Sequence, residues 1–393
     1  MRPDRKRLFL RVGAAAVFGI AWATAWADRR GAPPEVGLDV PIDGPPPSVY
    51  KAMLKLANVG KDDVLYDLGC GDGRVVIMAV KEFGAKKGVG IDLDPERIKE
   101  CKENAQYSGV TDKVVWQNAN FFDVSLKEAS VVTAYLLPNI NLMVRPMLYR
   151  DLKPGSRVVT MRFHMGDWEH DQLLRHKRAT SHPIYIYIIP ASVGGTWEWT
   201  MKDMRCRAAL EQEFQFFKGT VTIGAGEPAR ITGQSLKGAE IAFSAAVKVD
   251  GKDAKATYRG TVEGDTIKGT QEIGGARQDW TATRKPVDVT GTWQVTVLPA
   301  EKKLNGVLTI EKKADGVLTA TYALDADKKP IPIGGLYVWG PCVRFEIPTG
   351  AASVDFKGVL TEGTGKGVVD CEGWTTEPTW TARRVTEGKG GQP

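Results

Sequence analysis

Three glycines within five residues, in Tyr66-Asp67-Leu68-Gly69-Cys70-Gly71-Asp72-Gly73-Arg74, constrain this chain more than any other segment. The run before them, Val64 to Asp67, is apolar and short enough for a strand, and the run after them, Arg74 to Phe83, has helical spacing. Glycines let the backbone turn sharply between the two. Such a turn opens the crevice where an α/β sheet holds its ligand.

The alternation continues on both sides. A helical stretch at Val49 to Ala57 comes first, and a second strand at Gly88 to Asp92 follows the first helix. Asp94 as N-cap, Pro95 at the first helical position and Gly109 as the stop delimit another helix. Strands are expected at Val114 to Gln117, Val131 to Tyr135 and Arg157 to Met161. Apolar runs this short, alternating with helices, imply a parallel sheet covered on both faces. The expected fold over 48–190 is therefore a Rossmann-like, doubly wound α/β domain.

Asp67 ends the first strand, where a carboxylate can hold a cationic amino group. Asp92 ends the second, 19 residues after Gly73, where it can accept both hydroxyls of a ribose. Together with Gly69, Gly71, Asp72 and Gly73 these suit S-adenosylmethionine, which carries an ammonium and a sulfonium. A dinucleotide is the competing ligand, since it also uses a glycine-rich turn and an acidic residue some 20 positions on. Its pyrophosphate, however, would meet the negative charge of Asp67 and Asp72 at the helix start.

The segment from Val40-Pro41 through Trp168 resembles prokaryotic class I methyltransferases related to the mitochondrial lysine methyltransferase of the ATP synthase c subunit. The pieces that carry the resemblance are Met53-Leu54-Lys55-Leu56-Ala57, Asp67 to Arg74, Val89-Gly90-Ile91-Asp92, Tyr135-Leu136-Leu137-Pro138 and Met165-Gly166-Asp167-Trp168. The resemblance implies an S-adenosylmethionine-dependent enzyme acting on a protein amine, with lysine as the acceptor. It implies catalytic roles for Tyr135, at the end of the fourth strand, and Asp167, after the fifth, with Pro138 and Trp168 as substrate contacts. Relatives end the third strand in Gly-Asp, whose carboxylate takes the adenine amino group. Here Ala119-Asn120 stands there, and the Asn120 carbonyl oxygen is expected to accept that bond instead.

From Gly194 onwards the composition changes, with 28 of the 43 glycines and 7 of the 11 tryptophans in short β-rich runs. Two similar units open with Gly-Thr-Trp (Gly195 to Trp197, Gly291 to Trp293) and close with Trp-Thr-Ala (Trp280 to Ala282, Trp380 to Ala382). Gly260 and Gly269 match Gly358 and Gly367 at one offset of 98. A duplicated antiparallel unit is expected at 194–286 and 290–385, each a small barrel or sandwich. Trp280 and Trp380 read as core plugs, with a sugar-stacking platform, and so a carbohydrate or cell-envelope ligand, as the alternative.

Residues 1–27 read as a signal peptide. Arg2 to Arg11 is basic, Val12 to Ala25 is apolar, and Ala25-Trp26-Ala27 fits a cleavage site. Positive charge stays inside, so the chain is expected to be exported, periplasmic after cleavage or membrane-anchored through an uncleaved leader, and to touch membrane only there; without a working leader it is cytoplasmic. A proline-rich linker at 28–47 and a disordered tail at 386–393 complete the division. The leader carries +4 of the net charge of +6, which leaves no basic stripe for nucleic acid. Cys70, Cys101, Cys206, Cys342 and Cys371 show no metal-binding spacing, and no metal is expected. Cys342 and Cys371 read either as a disulfide after export or as two buried thiols. His164, His170, His176 and His182 recur every six residues, which puts no two neighbours on one helix face. Because the cofactor is made in the cytosol, a non-catalytic extracytoplasmic scaffold stands as the alternative to an active enzyme.

Overall fold

Short runs, buried on both faces in the central strands, build the first sheet: β1 (Val64–Leu68), β2 (Lys87–Asp92), β3 (Val114–Asn118), β4 (Val131–Ala134), β5 (Arg157–Met161), β6 (Gln172–Leu174) and β7 (Ile184–Ile188). The computed structural model describes residues 45–175, 182–249, 251–299, 304–325, 329–349, 352–370 and 378–385. The expected leader, residues 28–44 of the linker, His176, Cys371 and the tail at 386–393 lie outside them. The sheet order is β3-β2-β1-β4-β5-β7-β6, and the first five strands are parallel. The parallel strands are those expected, and the edge adds two that the sequence did not announce, with β7 antiparallel to both β5 and β6. Parallel pairing needs a long crossover, usually a helix, whereas β6 and β7 return on themselves.

Four helices among the described residues flank this sheet: α1 (Pro47–Leu56), α2 (Arg74–Lys81), α3 (Pro95–Ser108) and α4 (Pro138–Asp151). The caps of α3 are those the sequence predicts: Asp94 accepts the Glu96 N–H at 2.9 Å, and Gly109 takes a φ of 70°. Helix α4 has no counterpart in the sequence reading. Pro146 lies inside it and would ordinarily interrupt a helix, but burial of Ile140, Val144, Met147 and Leu148 holds the segment together.

Eight antiparallel strands from Gly195–Met201 to Ala276–Arg284 close into a barrel. The second unit, from Gly291–Leu298 to Thr379–Arg384, is a nine-stranded open half-barrel. The two units match contact by contact. Trp197 Nε1 donates to the Val193 carbonyl at 2.8 Å and Trp293 Nε1 to that of Val289 at 3.0 Å. Arg284 lies 4.7 Å over the Trp197 ring and Arg384 4.6 Å over that of Trp293. Gly260 pairs with Gly269 beside Trp280, as Gly358 pairs with Gly367 beside Trp380. The second unit opens between its edge strands Pro330–Ile333 and Tyr337–Trp339. Pro330 and Pro332 remove two donors from one side of that edge, and Gly334-Gly335 follows them.

Trp197, Trp280, Trp293 and Trp380 are all fully buried, as core plugs should be, which leaves no ring face for a stacked sugar. Cys342 is a buried free thiol. The glycine pairs are required on steric grounds. A Cβ at Gly269 would stand 2.0 Å from the Arg259 carbonyl oxygen and 2.4 Å from the Gly260 Cα. Gly269→Ala is expected to destabilise the barrel by about 1–3 kcal/mol, read as a lower denaturant midpoint.

Candidate active site

Where β1 ends, the Gly69 and Cys70 N–H groups both donate to the Ile91 carbonyl, at 2.9 and 3.0 Å, which folds the chain over the end of β2. Gly69, Gly71 and Gly73 have φ of 73°, 56° and 78°, a region that side-chain-bearing residues adopt at a cost. A Cβ at Gly71 would meet nothing within 4 Å, so the turn borders open space and forms a cradle. Asp92 stands beside it. Its Oδ2 accepts the Gly71 N–H at 2.9 Å and its Oδ1 that of Asp94 at 3.0 Å, leaving further lone pairs on each oxygen.

Asp67 lies at the floor and is almost fully buried. Thr133 of β4, its neighbour in the register, donates to Oδ1 at 2.6 Å. Burial, opposed by that hydrogen bond and reinforced by the charges of Asp92 and Asp72, pushes its pKa up to about 7. No cation among the described residues pairs with it. A positive group entering the cradle would therefore gain a carboxylate that the protein leaves unpaired. Asp72 is already satisfied: Arg74 binds both its oxygens, Nε at 2.8 and 2.9 Å and Nη2 at 2.6 Å. These bonds steady the turn.

Asn120 lies on the same rim. Its Oδ1 accepts the Phe122 N–H at 3.1 Å and caps a single helical turn at Phe121–Asp123, so one lone pair remains for a base. The carboxamide of Asn118, which the sequence reading passed over, donates to the carbonyls of Asp92 and Leu93 at 3.1 and 2.8 Å and shapes the same rim.

Two tyrosines approach from other elements. Tyr135 follows β4, half-buried, with its ring 5.9 Å from that of His182. Its neighbour Leu136 packs against Gly69, which brings this loop to the turn. Tyr50 of α1, also missed, is buried with the Arg74 guanidinium 5.8 Å over its ring. Burial, eased by Arg74 and reinforced by Asp67, Asp72 and Tyr135, pushes its pKa to about 12. Nothing in a single-helix pattern marks Tyr50; only its place on the buried face beside Pro47 distinguishes it. Pro138 starts α4 and is exposed at the same end of the sheet.

Asp167 and Trp168 lie in the loop after β5, each engaged by residues from other parts of the chain. Asp167 binds Arg145 of α4 at 2.5 Å and Arg344 of the half-barrel at 2.6 Å. Burial would raise its pKa, but the two guanidinium groups hold it below the usual range, which makes it a poor base. Trp168 is 1% exposed, packed on Tyr149, Tyr187 and Phe214, so it walls no open channel. Among the described residues no His, Cys, Asp or Glu cluster could hold a metal ion.

Residues 67–172 match the ANTKMT methyltransferase domain. A protein-lysine N-methyltransferase of Saccharolobus islandicus is 42% identical over 38% of this chain and 94% of its own. The adenine nucleotide translocase lysine N-methyltransferase of Mus musculus is 30% identical over 43% of this chain and 74% of its own. A solved RNA methyltransferase from Salinibacter ruber, in complex with S-adenosyl-L-homocysteine, is 42% identical over 37% of this chain and 92% of its own, with a TM-score of 0.36. Matched over most of two lysine methyltransferases, with the glycine turn and its two carboxylates intact, the chain belongs to the lysine methyltransferase family of S-adenosylmethionine-dependent enzymes.

Proposed function

We propose that residues 48–190 transfer a methyl group from S-adenosylmethionine to the side-chain amine of a protein lysine, and that the two β units hold the acceptor side of the site in place. The observation that carries the reading is the buried, cation-free Asp67 beneath an open glycine cradle edged by Asp92. The residues fit the cofactor: Asp67 takes the ammonium, Asp92 the ribose hydroxyls, and the rim at Asn120 the base. When bound, the cofactor supplies an electrophilic methyl on a sulfonium.

The chain's own task is to position a neutral amine. A lysine with pKa ≈ 10.4 is protonated at pH 7, and freeing its lone pair costs about 4–5 kcal/mol. Tyr135 accepts one N–H of the amine and aims the lone pair inward. Tyr50, with a pKa near 12, stays protonated and acts only as a hydrogen-bonding group. Two experiments test this. Full-length protein incubated with methyl-labelled cofactor and a mixed protein acceptor is expected to give Nε-methyllysine on hydrolysis; label on another residue defeats the lysine assignment. Because ligand binding favours ionised Asp67, S-adenosylhomocysteine affinity is expected to fall up to tenfold per unit as pH drops below 7 and to level off above it.

The basic, apolar and small-x-small order of residues 1–27 supports export of the mature chain. No helix among the described residues is long and apolar enough to cross a membrane. A carboxyl-terminal alkaline phosphatase fusion is expected to be active; an inactive fusion would return the protein to the cytoplasm.

A further inference from the structure

Beneath the glycine turn lie two thiols that methyl transfer does not use. The Sγ atoms of Cys70 and Cys101 are 3.8 Å apart, and both residues are buried. Cys70 stands between Gly69 and Gly71, while Cys101 comes from α3 and donates its S–H to the Gly71 carbonyl at 3.1 Å. The surroundings are cut to seat the pair. A Cβ at Gly73 would stand 2.9 Å from the Cys101 sulfur, and one at Gly90 2.8 Å from the Cys70 sulfur. Reaching a disulfide length of ~2.05 Å requires an approach of about 1.8 Å. The two left-handed glycines flanking Cys70 can absorb it.

We propose that Cys70 and Cys101 form an oxidative modification site, a disulfide under the cofactor turn that lowers affinity for the nucleoside. The inference rests on the cofactor reading above. With hydrogen peroxide as the oxidant, one thiolate attacks the O–O bond, becomes a sulfenic acid and releases water. The second thiol displaces a second water and forms the S–S bond. In sum two S–H bonds and one O–O bond break, the two sulfurs lose two electrons and two protons, and peroxide leaves as two waters. The hydrogen bond with Cys101 and burial push the Cys70 thiol up, so the turn must open before it reacts. A bound nucleoside opposes that opening.

The structural consequence falls on the ribose side. Cys70 N–H holds the Ile91 carbonyl, and the adjoining Gly71 N–H holds Asp92 Oδ2. Drawing Cys70 toward α3 pulls on both bonds and moves the carboxylate that would grip the ribose. By linkage the effect is reciprocal: ligand that binds the dithiol better protects it from oxidation.

The test uses the full-length protein, reduced or treated with hydrogen peroxide, with disulfide mapping by mass spectrometry and calorimetric titration of S-adenosylhomocysteine. Expected are a Cys70–Cys101 cross-linked peptide, affinity at least tenfold weaker after oxidation, and recovery on reduction. Saturating S-adenosylhomocysteine should slow cross-linking and raise the dithiol potential by about 30 mV per tenfold preference. Cys101→Ser should bind alike with and without peroxide. A map without that peptide, or a cross-linked protein whose affinity is within threefold of the reduced form, overturns the proposal. A reduced protein that fails to bind would instead sink the cofactor reading, and the peptide map keeps the two failures apart.

Discussion

Asp67→Asn is expected to weaken S-adenosylhomocysteine binding by roughly 30- to 150-fold, the loss of about 2–3 kcal/mol for a charge-assisted bond to the ligand ammonium. The replacement keeps the shape of the side chain, and its carbonyl still accepts from Thr133. Stability should move the other way. Folding raises the Asp67 pKa from 3.8 to about 7, so ionisation in the folded state subtracts stability. Nothing is lost below about pH 4, the loss grows toward pH 7, and it is complete above. The melting temperature of the variant should therefore gain on the parent between pH 5 and pH 8. Unchanged affinity in calorimetry would refute the placement of the cofactor's amino acid end.

Arg344→Met should separate the β region from the loop after β5 that carries Asp167. Arg344 and Arg145 are both buried, and they meet Asp167, Glu213, Glu346 and Asp355 in one cluster that joins all three parts of the chain. Arg145 also donates to the Met165 carbonyl at 2.9 Å, and Tyr187 accepts the Met165 N–H at 2.9 Å, so the loop after β5 is pinned at several points. Removing one buried cation leaves acids uncompensated, at about 3–5 kcal/mol. Calorimetry should show a lower, broader unfolding transition. Methyl transfer should fall at least tenfold in kcat while S-adenosylhomocysteine affinity stays within threefold, because the cradle lies on other elements. Arg344→Lys keeps the charge but loses the fork, and should recover part of the rate. A variant with full kcat would show that the β units do not position the acceptor side.

Much of the cofactor side was legible because its determinants are local. Asp67, the glycines and Asp92 lie on strand ends and a turn whose periodicity and conformational demands can be read along the chain. The caps of α3 belong to the same class. Helix α4 was hidden by Pro146, because the burial that offsets the missing hydrogen bond comes from neighbours distant in sequence. Asp167 and Trp168 carry the right residue types for an acceptor site. Their partners, however, include Arg344 and Phe214 from the β units, and no pattern along 165–168 announces those partners.

The duplication shows the same division within one feature. Landmarks at equal offsets specified two related β units, since cross-strand glycine pairs and a tryptophan beside them are demands of strand register. That one unit closes while its copy stays open was decided by pairing at a distance, where Pro330 and Pro332 remove donors that only a neighbouring strand would reveal as missing. Sequence alone thus determined which backbone could turn, which strands would alternate and which carboxylates would flank the glycine turn. Tertiary structure decided which carboxylates were free to act, because a charge's partners, burial and pKa depend on residues far apart in the chain, as Arg145 and Tyr337, 192 positions apart, are.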